Sequence, residues 1–189
     1  MPGTGQVTEW LRRLNEGDDS ALQQLVPLLY DDLRQIARKQ LRNERPGHTL
    51  STTGLVNEAY LRLVNQQRLG AEDRPQFFAI ASTTMRRILV DYARSRRRIK
   101  RGGGQTPIPL EEAESFLTDA EAEEVLSLDA ALDRLALLEP RAVQVVQCRF
   151  YSGLSLEETA QALNISVKTV QRDWIAARAW LRKETMADV

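Results

Sequence analysis

The chain has 189 residues, long enough for one ordinary domain or two small ones, and its 42 % of hydrophobic residues suffices for a packed core, which excludes global disorder. Lys+Arg and Asp+Glu both total 26, so the formal net charge is zero, and any affinity for nucleic acid must come from how charge is distributed. A single cysteine, Cys148, and a single histidine, His48, exclude an intrachain disulfide, a cysteine metal cluster and a histidine-rich metal site.

No metal and no cofactor are therefore expected, and His48, in the polar run "NERPGHTLSTTG", reads as a loop or cap residue. No apolar stretch approaches the roughly 20 residues of a membrane span, and the N-terminus lacks a signal-peptide core. The expectation is a reduced, cytoplasmic protein with no membrane partner.

Gly, Asn, Ser, Thr and Pro punctuate segments of helical period, and no sustained strand alternation appears, so the fold is expected to be all-α. Residues 8–14 read as a short helix. Residues 21–41 carry Leu22, Leu25, Val26, Leu29, Leu33, Ile36 and Ala37 on one stripe, with Pro27 predicting a bend or a break into two helices. "RNERPGH" reads as a loop. Thr52 or Thr53 can cap a helix reaching Val64, with Leu55, Val56, Ala59, Tyr60 and Leu63 inward. After the loop "NQQRLGAEDRP", a helix is predicted over 76–98 with Phe77, Ile80, Ala81, Ile88, Leu89 and Tyr92 inward. Phe77 and Phe78 invite a base-stacking role, but at this spacing Phe77 reads as core.

Charge is strongly polarised from here on. Arg86, Arg87, Arg94, Arg96, Arg97, Arg98, Lys100 and Arg101 are interrupted by one acid, Asp91. From Gly102 to Asp133 there is no Lys or Arg, whereas Glu111, Glu112, Glu114, Asp119, Glu121, Glu123, Glu124, Asp129 and Asp133 are acidic. The basic run fits contact with phosphates. "GGGQTPIP" and the acids after it read as an extended linker. The resulting organisation is two small helical domains, 1–100 and 128–189, joined by a flexible acidic linker, 101–127.

Helical spacing resumes at Leu128, Leu132 and Leu135, and Pro140 suits the first turn of a helix carrying Val143, Val146 and Phe150. "SLEETAQALNISVKTVQRDWIAARAWL" then has the form of a helix-turn-helix. Ser155 and Glu158 make a capping box, and Leu156, Ala160 and Leu163 share a face. Asn164 can take the left-handed conformation that ends a helix, and Ser166 can cap the next. That second helix buries Val167, Val170, Trp174, Ala177 and Leu181, leaving Lys168, Thr169, Gln171, Arg172 and Arg178 outside.

With these motifs in place, "LEPRAVQVVQCRFYSGLSLEETAQALNISVKTVQRDWIAARAWL" resembles the C-terminal DNA-binding domain of bacterial sigma factors. "HTLSTTGLVNEAYLRLV" and "FFAIASTTMRRILVDYARSRRRIKRGG" resemble their N-terminal promoter-opening domain. The two-domain form is similar to the extracytoplasmic-function (ECF) class. The resemblance implies a subunit that binds core RNA polymerase and directs promoter recognition, DNA melting and transcription initiation, and that is not an enzyme.

Two DNA surfaces are then implied. For the duplex upstream element, Ser166, Lys168, Thr169, Gln171, Arg172 and Arg178 match the recognition helix. For the single strand exposed at the downstream element, Asn65, Gln66, Gln67 and Arg68 match the pocket loop, and Arg86, Arg87, Arg94 and Arg97 a cationic track. Asn57, Glu58, Leu61 and Arg62 match the element that docks on the clamp coiled coil of the polymerase's largest subunit. An anti-sigma factor is a further partner type known to the class. The chain departs from the family pattern at Arg172-Asp173, where Ser followed by Arg is common; Asp173 beside phosphates is repelled unless it pairs with a cation or accepts from a cytosine amino group.

Three rivals compete with this reading. A helix-turn-helix regulator that is not a polymerase subunit would leave the Arg-rich helix without a role. A DNA-processing enzyme lacks the clustered carboxylates, histidines or cysteines for a site. A protein-only adaptor would use the basic run on an acidic partner.

Overall fold

The computed structural model describes residues 4–18, 20–41, 49–65, 69–100 and 117–187, and among these every regular element is helical. Four helices come from the first half: α1 (Thr4–Asn15), α2 (Ser20–Gln40), α3 (Thr49–Val64) and α4 (Arg74–Lys100). Then follow α5 (Asp119–Leu138), α6 (Pro140–Val146), a π-helical segment (Gln147–Ser152), α7 (Leu156–Leu163) and α8 (Val167–Ala187). Residues 42–48 with His48, the expected pocket residues Gln66, Gln67 and Arg68, and residues 101–116 with Glu111, Glu112 and Glu114 lie outside the described residues.

Pro27 neither breaks nor divides α2, which runs unbroken from Ser20 to Gln40. An interior proline costs about 3 kcal/mol, but Pro27 and Gln23 are both exposed, so the carbonyl freed one turn back can meet water. On the opposite stripe Leu22, Leu25, Leu29, Leu33 and Ile36 are all buried. Each contributes about 1.5–3 kcal/mol, and together they outweigh the defect.

α4 is the central element, packing against α1, α2, α3, α5, α7 and the π-helical segment. Phe77, Ala81, Met85 and Ile88 are fully buried along it, and Phe77 is core as its spacing predicts. The core around them extends beyond the first four helices to Leu117, Ala122, Cys148 and Leu154. Two smaller clusters serve the C-terminal helices. One gathers Leu132, Leu135, Val143, Val146 and Ala177; the other joins Val145, Ala160 and Val170.

The acidic stretch is not linker throughout, because α5 starts at Asp119. Thr118 Oγ1 accepts from the Glu121 backbone N–H at 3.3 Å, and the Glu121 carboxylate accepts from the Thr118 N–H at 2.6 Å. This capping box and the acids of the first turn, which complement the helix dipole, make a helix start of residues expected to be extended. Ala122, Asp129, Ala131, Leu132 and Leu135 form its buried side.

Pro140 occupies the first turn of α6 as expected. After Val146 the chain widens into the π-helical turn, which Gly153 closes at φ 74° with its N–H on the Cys148 carbonyl. A Cβ at Gly153 would collide with Nζ of Lys39 from α2. The positive φ is what requires glycine here, since Nζ is the far end of a flexible, exposed side chain that can move aside.

Candidate nucleic-acid interface

The turn between α7 and α8 is built by local chemistry. Ser155 Oγ accepts from the Glu158 N–H at 3.0 Å, and the Glu158 carboxylate returns to the Ser155 N–H at 2.8 Å. Asn164 adopts φ 52° and ψ 47°, ending α7, while the Ile165 N–H bonds back to the Ala160 carbonyl at 3.0 Å. Ser166 Oγ accepts from the Thr169 N–H at 3.1 Å and caps α8. Val170, fully buried against Val145 and Ala160, fixes how α8 is rotated. Ser166, Lys168, Gln171, Arg172 and Arg178 are exposed as a result, and Thr169 is half-buried. Arg178 lies over the Trp174 ring at 5.5 Å from its centroid, and Arg149 approaches the same ring at 5.7 Å.

Asp173 belongs to the same helix but is buried. Its Oδ2 accepts from Nε of Arg141 at 2.6 Å, and its Oδ1 accepts from Nε and Nη2 of Arg172, both at 3.1 Å. The bond from Arg141, with help from Arg172, holds this carboxyl below the usual carboxylate range against the opposing effect of burial. The repulsion that a lone acid would suffer near phosphates is thereby answered within the chain.

Residues 69–73, before α4, are anchored to the end of α1 and to the start of α4. Leu69 and Ala71 are buried, and Asn15 spans the backbone between them, accepting from the Gly70 N–H at 3.2 Å and donating to the Ala71 carbonyl at 2.9 Å. Asp73 caps α4 through the Gln76 N–H at 2.9 Å. Asn65, exposed at the end of α3, donates to the Leu61 carbonyl at 2.9 Å.

Along α4 the arginines divide. Arg87 and Arg97 are exposed. Arg86 has a side chain only 13 % exposed and pairs with Asp129 of α5 at 2.5 Å; Arg94 reaches the other oxygen of Asp129 at 3.2 Å. Arg86 Nε has no partner among the described residues, so Asp129 is the anion that this guanidinium depends on. Arg96 pairs with Asp119 at 2.8 Å. Part of the expected cationic track is thus occupied by acids from the start of the C-terminal half.

Further contacts join the two halves. Ser82 and Ser152 share a buried hydroxyl hydrogen bond of 2.5 Å, and Gln161 of α7 donates to Asp73 at 2.8 Å. Arg74 lies over the Phe78 ring and pairs with Asp32 at 2.8 Å and Glu158 at 3.9 Å. Cys148, wedged into the core shared with α4, is 1 % exposed, and burial pushes its thiol up to about 12.

On α3, Asn57 and Leu61 are exposed, with Leu61 at 56 %, and Val64 extends the apolar patch at 49 %. Glu58 and Arg62 are half-buried; Arg62 bridges Glu58 at 3.5 Å and Asp91 of α4 at 3.0 Å.

The family model for the ECF sigma factor matches residues 4–187, spanning both halves. The chain belongs to that family. A sigma factor binds core RNA polymerase and directs it to promoters to initiate transcription, so the reading as a free-standing helix-turn-helix regulator is not favoured. No curated relative matches at a significant level. Members of the family are not enzymes, and among the described residues no group of His, Cys, Asp and Glu side chains could hold a metal ion. No described helix is long and apolar enough to cross a membrane.

Sequence reasoning passed over Asn15, Asp129 and Arg141 in this sigma factor. The pairings Arg86–Asp129 and Arg141–Asp173 span 43 and 32 residues, and helical periodicity carries no signal at such separations. The charge reversal after Arg101 was the one signal that acids and arginines meet.

Proposed function

We propose that this sigma factor reads the duplex upstream element with α8 and holds the melted strand of the downstream element along α4 and the loop before it, from the bacterial cytoplasm. The observation that carries the first assignment is the outward row of Ser166, Lys168, Gln171 and Arg172 over a buried Val170, with amide and guanidinium groups at the start of a capped helix. Arg178, a turn and a half further on, contacts backbone. Exposed Arg87 and Arg97 supply phosphate contacts for the open strand, and Asn65 with Gln66, Gln67 and Arg68 walls the pocket for an extruded base. Asn57, Glu58, Leu61 and Arg62 dock on the clamp coiled coil, with the apolar Leu61 and Val64 supporting that assignment.

In this reading the packed arrangement is the polymerase-free form. Arg86, 13 % exposed at its side chain, cannot serve phosphates while Asp129 holds it, so core polymerase is expected to draw the C-terminal helices off α4. The test is run-off transcription with purified core polymerase from promoters of the same genome. Initiation should depend on the chain, and the chain should co-purify with core in stoichiometric amount. Tight binding of a duplex site by the chain alone, with no association with core, would refute the assignment.

A further inference from the structure

A guanidinium offers two flat edges to an acceptor pair, one formed by Nε and an Nη, the other by the two Nη atoms. In Arg172 the first edge is spent on Asp173, since Nε and Nη2 both donate to Oδ1 at 3.1 Å. Nη1 has no partner among the described residues, and the side chain is 68 % exposed. The remaining edge is a two-donor fork of the width that guanine O6 and N7 accept in the major groove.

Asp173 can hold that fork because it is itself held. Its side chain is only 9 % exposed, and Arg141, from the first turn of α6, donates Nε to Oδ2 at 2.6 Å and Nη2 to Oδ1 at 3.4 Å. The carboxylate thus sits between a guanidinium from another helix and the one beside it in sequence. A free arginine loses rotamer entropy when it docks; one already tied at its inner edge loses less. The three groups together carry one positive charge, which suits a surface that approaches phosphates.

We infer that Asp173 is a specificity-determining positioning residue: it presents the outer edge of Arg172 to one guanine of the upstream element, with Arg141 as its anchor. This rests on the reading of α8 as the recognition helix. Arg172 supplies the contact, and Asp173 decides whether that contact discriminates between bases or slides among neighbouring phosphates.

The experiment is holoenzyme selection from duplex promoters randomised across the upstream element, followed by binding titrations on the selected site and on a non-specific duplex. The wild-type sigma factor should prefer guanine at one position, and R172A should erase that preference, a loss of roughly 5- to 150-fold. D173N and D173A should reduce the same preference by at least fivefold and leave the other positions alone. Affinity for the non-specific duplex should stay level or rise, because a negative charge near phosphates has gone. D173E should recover part of the preference, and adding D173A to R172A should change nothing further.

A uniform loss of affinity with the base profile intact in D173N and D173A would overturn the proposal and leave Asp173 a packing residue. A guanine preference lost in R172A but kept in D173N would overturn it while sparing the recognition-helix reading. A profile unchanged even in R172A would overturn both. Both Asp173 variants are carried so that a folding defect in the alanine leaves the near-isosteric asparagine to decide.

Discussion

Replacing Asp129 with Ala should loosen the hold of the C-terminal helices on α4, and the chain supplies its own reporter. Asp129 and Arg86 are 11 % and 13 % exposed at their side chains, so the substitution leaves a buried guanidinium without its counter-charge. Removing one member of a buried pair costs about 3–5 kcal/mol. The second partner, Arg94, is 58 % exposed and adds little, because water screens it. The penalty falls on the closed form alone, since Arg86 regains water when the halves part. Taking the lower figure of about 3 kcal/mol, the opening equilibrium should shift by about two powers of ten. Cys148 is the only cysteine and sits in the shared core with its thiol pushed up to about 12, so it reacts only after opening. Labelling by a maleimide at pH 8 should therefore be about 100-fold faster in D129A, while D133N, an exposed acid on the same helix, should match the wild type. Far-UV circular dichroism should show helix content unchanged. A rise of less than threefold in D129A, or one that follows global unfolding in urea, would refute the claim that this ion pair closes the molecule.

Other expectations follow from the surfaces. L61E changes a side chain that is 56 % exposed, so it should leave thermal stability within about 0.5 kcal/mol yet abolish co-purification with core polymerase. N15A removes two hydrogen bonds to the loop at Gly70 and Ala71 and should cost about 1–3 kcal/mol, read as faster amide exchange there and slower promoter opening. R87A and R97A should weaken all promoters alike and flatten the salt dependence by about one per lost phosphate contact. A pre-opened bubble should rescue them more than Q171A, because a bubble spares the melting step and still leaves the upstream duplex to be read. Asp173, whose folded-state carboxyl is depressed chiefly by Arg141, stabilises the fold above the ordinary aspartate value of about 3.9 and loses that contribution as pH falls through its own lower one. The stability gap between wild type and D173N should be constant from neutral pH to about pH 5 and close at stronger acid, as followed by tryptophan fluorescence.

The helices were legible where one face had to be apolar. Leu22, Leu25, Leu29, Leu33 and Ile36 gave α2, and Ser155, Glu158 and Asn164 gave both ends of α7, since capping is settled within four residues of chain. What escaped was decided by distant surroundings. Pro27 is tolerated because its face of α2 meets water, which no local pattern states. The start of α5 was readable in principle: Thr118 and Glu121 have capping-box spacing, but the density of like charge around them argued for extension. The π-helical turn after Val146 has no composition signal. For the site, the outward row of α8 followed from the same periodicity that gave its core. The occupation of Arg86 and Arg94 by Asp129 did not, because a basic run looks the same whether it awaits phosphate or already holds carboxylate.

Gly153 has a bearing on engineering. Lys39, from the N-terminal half, fills the space above it, and Ser152 beside it is paired with Ser82 of α4. A hybrid joining residues 128–189 to the N-terminal half of a different sigma factor would keep the helix pair and its base preferences. It would meet its new neighbour with a buried hydroxyl lacking its mate. Hybrids of this kind would inherit the recognition helix of the donor but not its resting state. Orthogonal gene switches assembled by exchanging such halves should therefore be screened for how the halves pack as well as for target choice, with Ser82 and Arg86 carried along as the partners of Ser152 and Asp129.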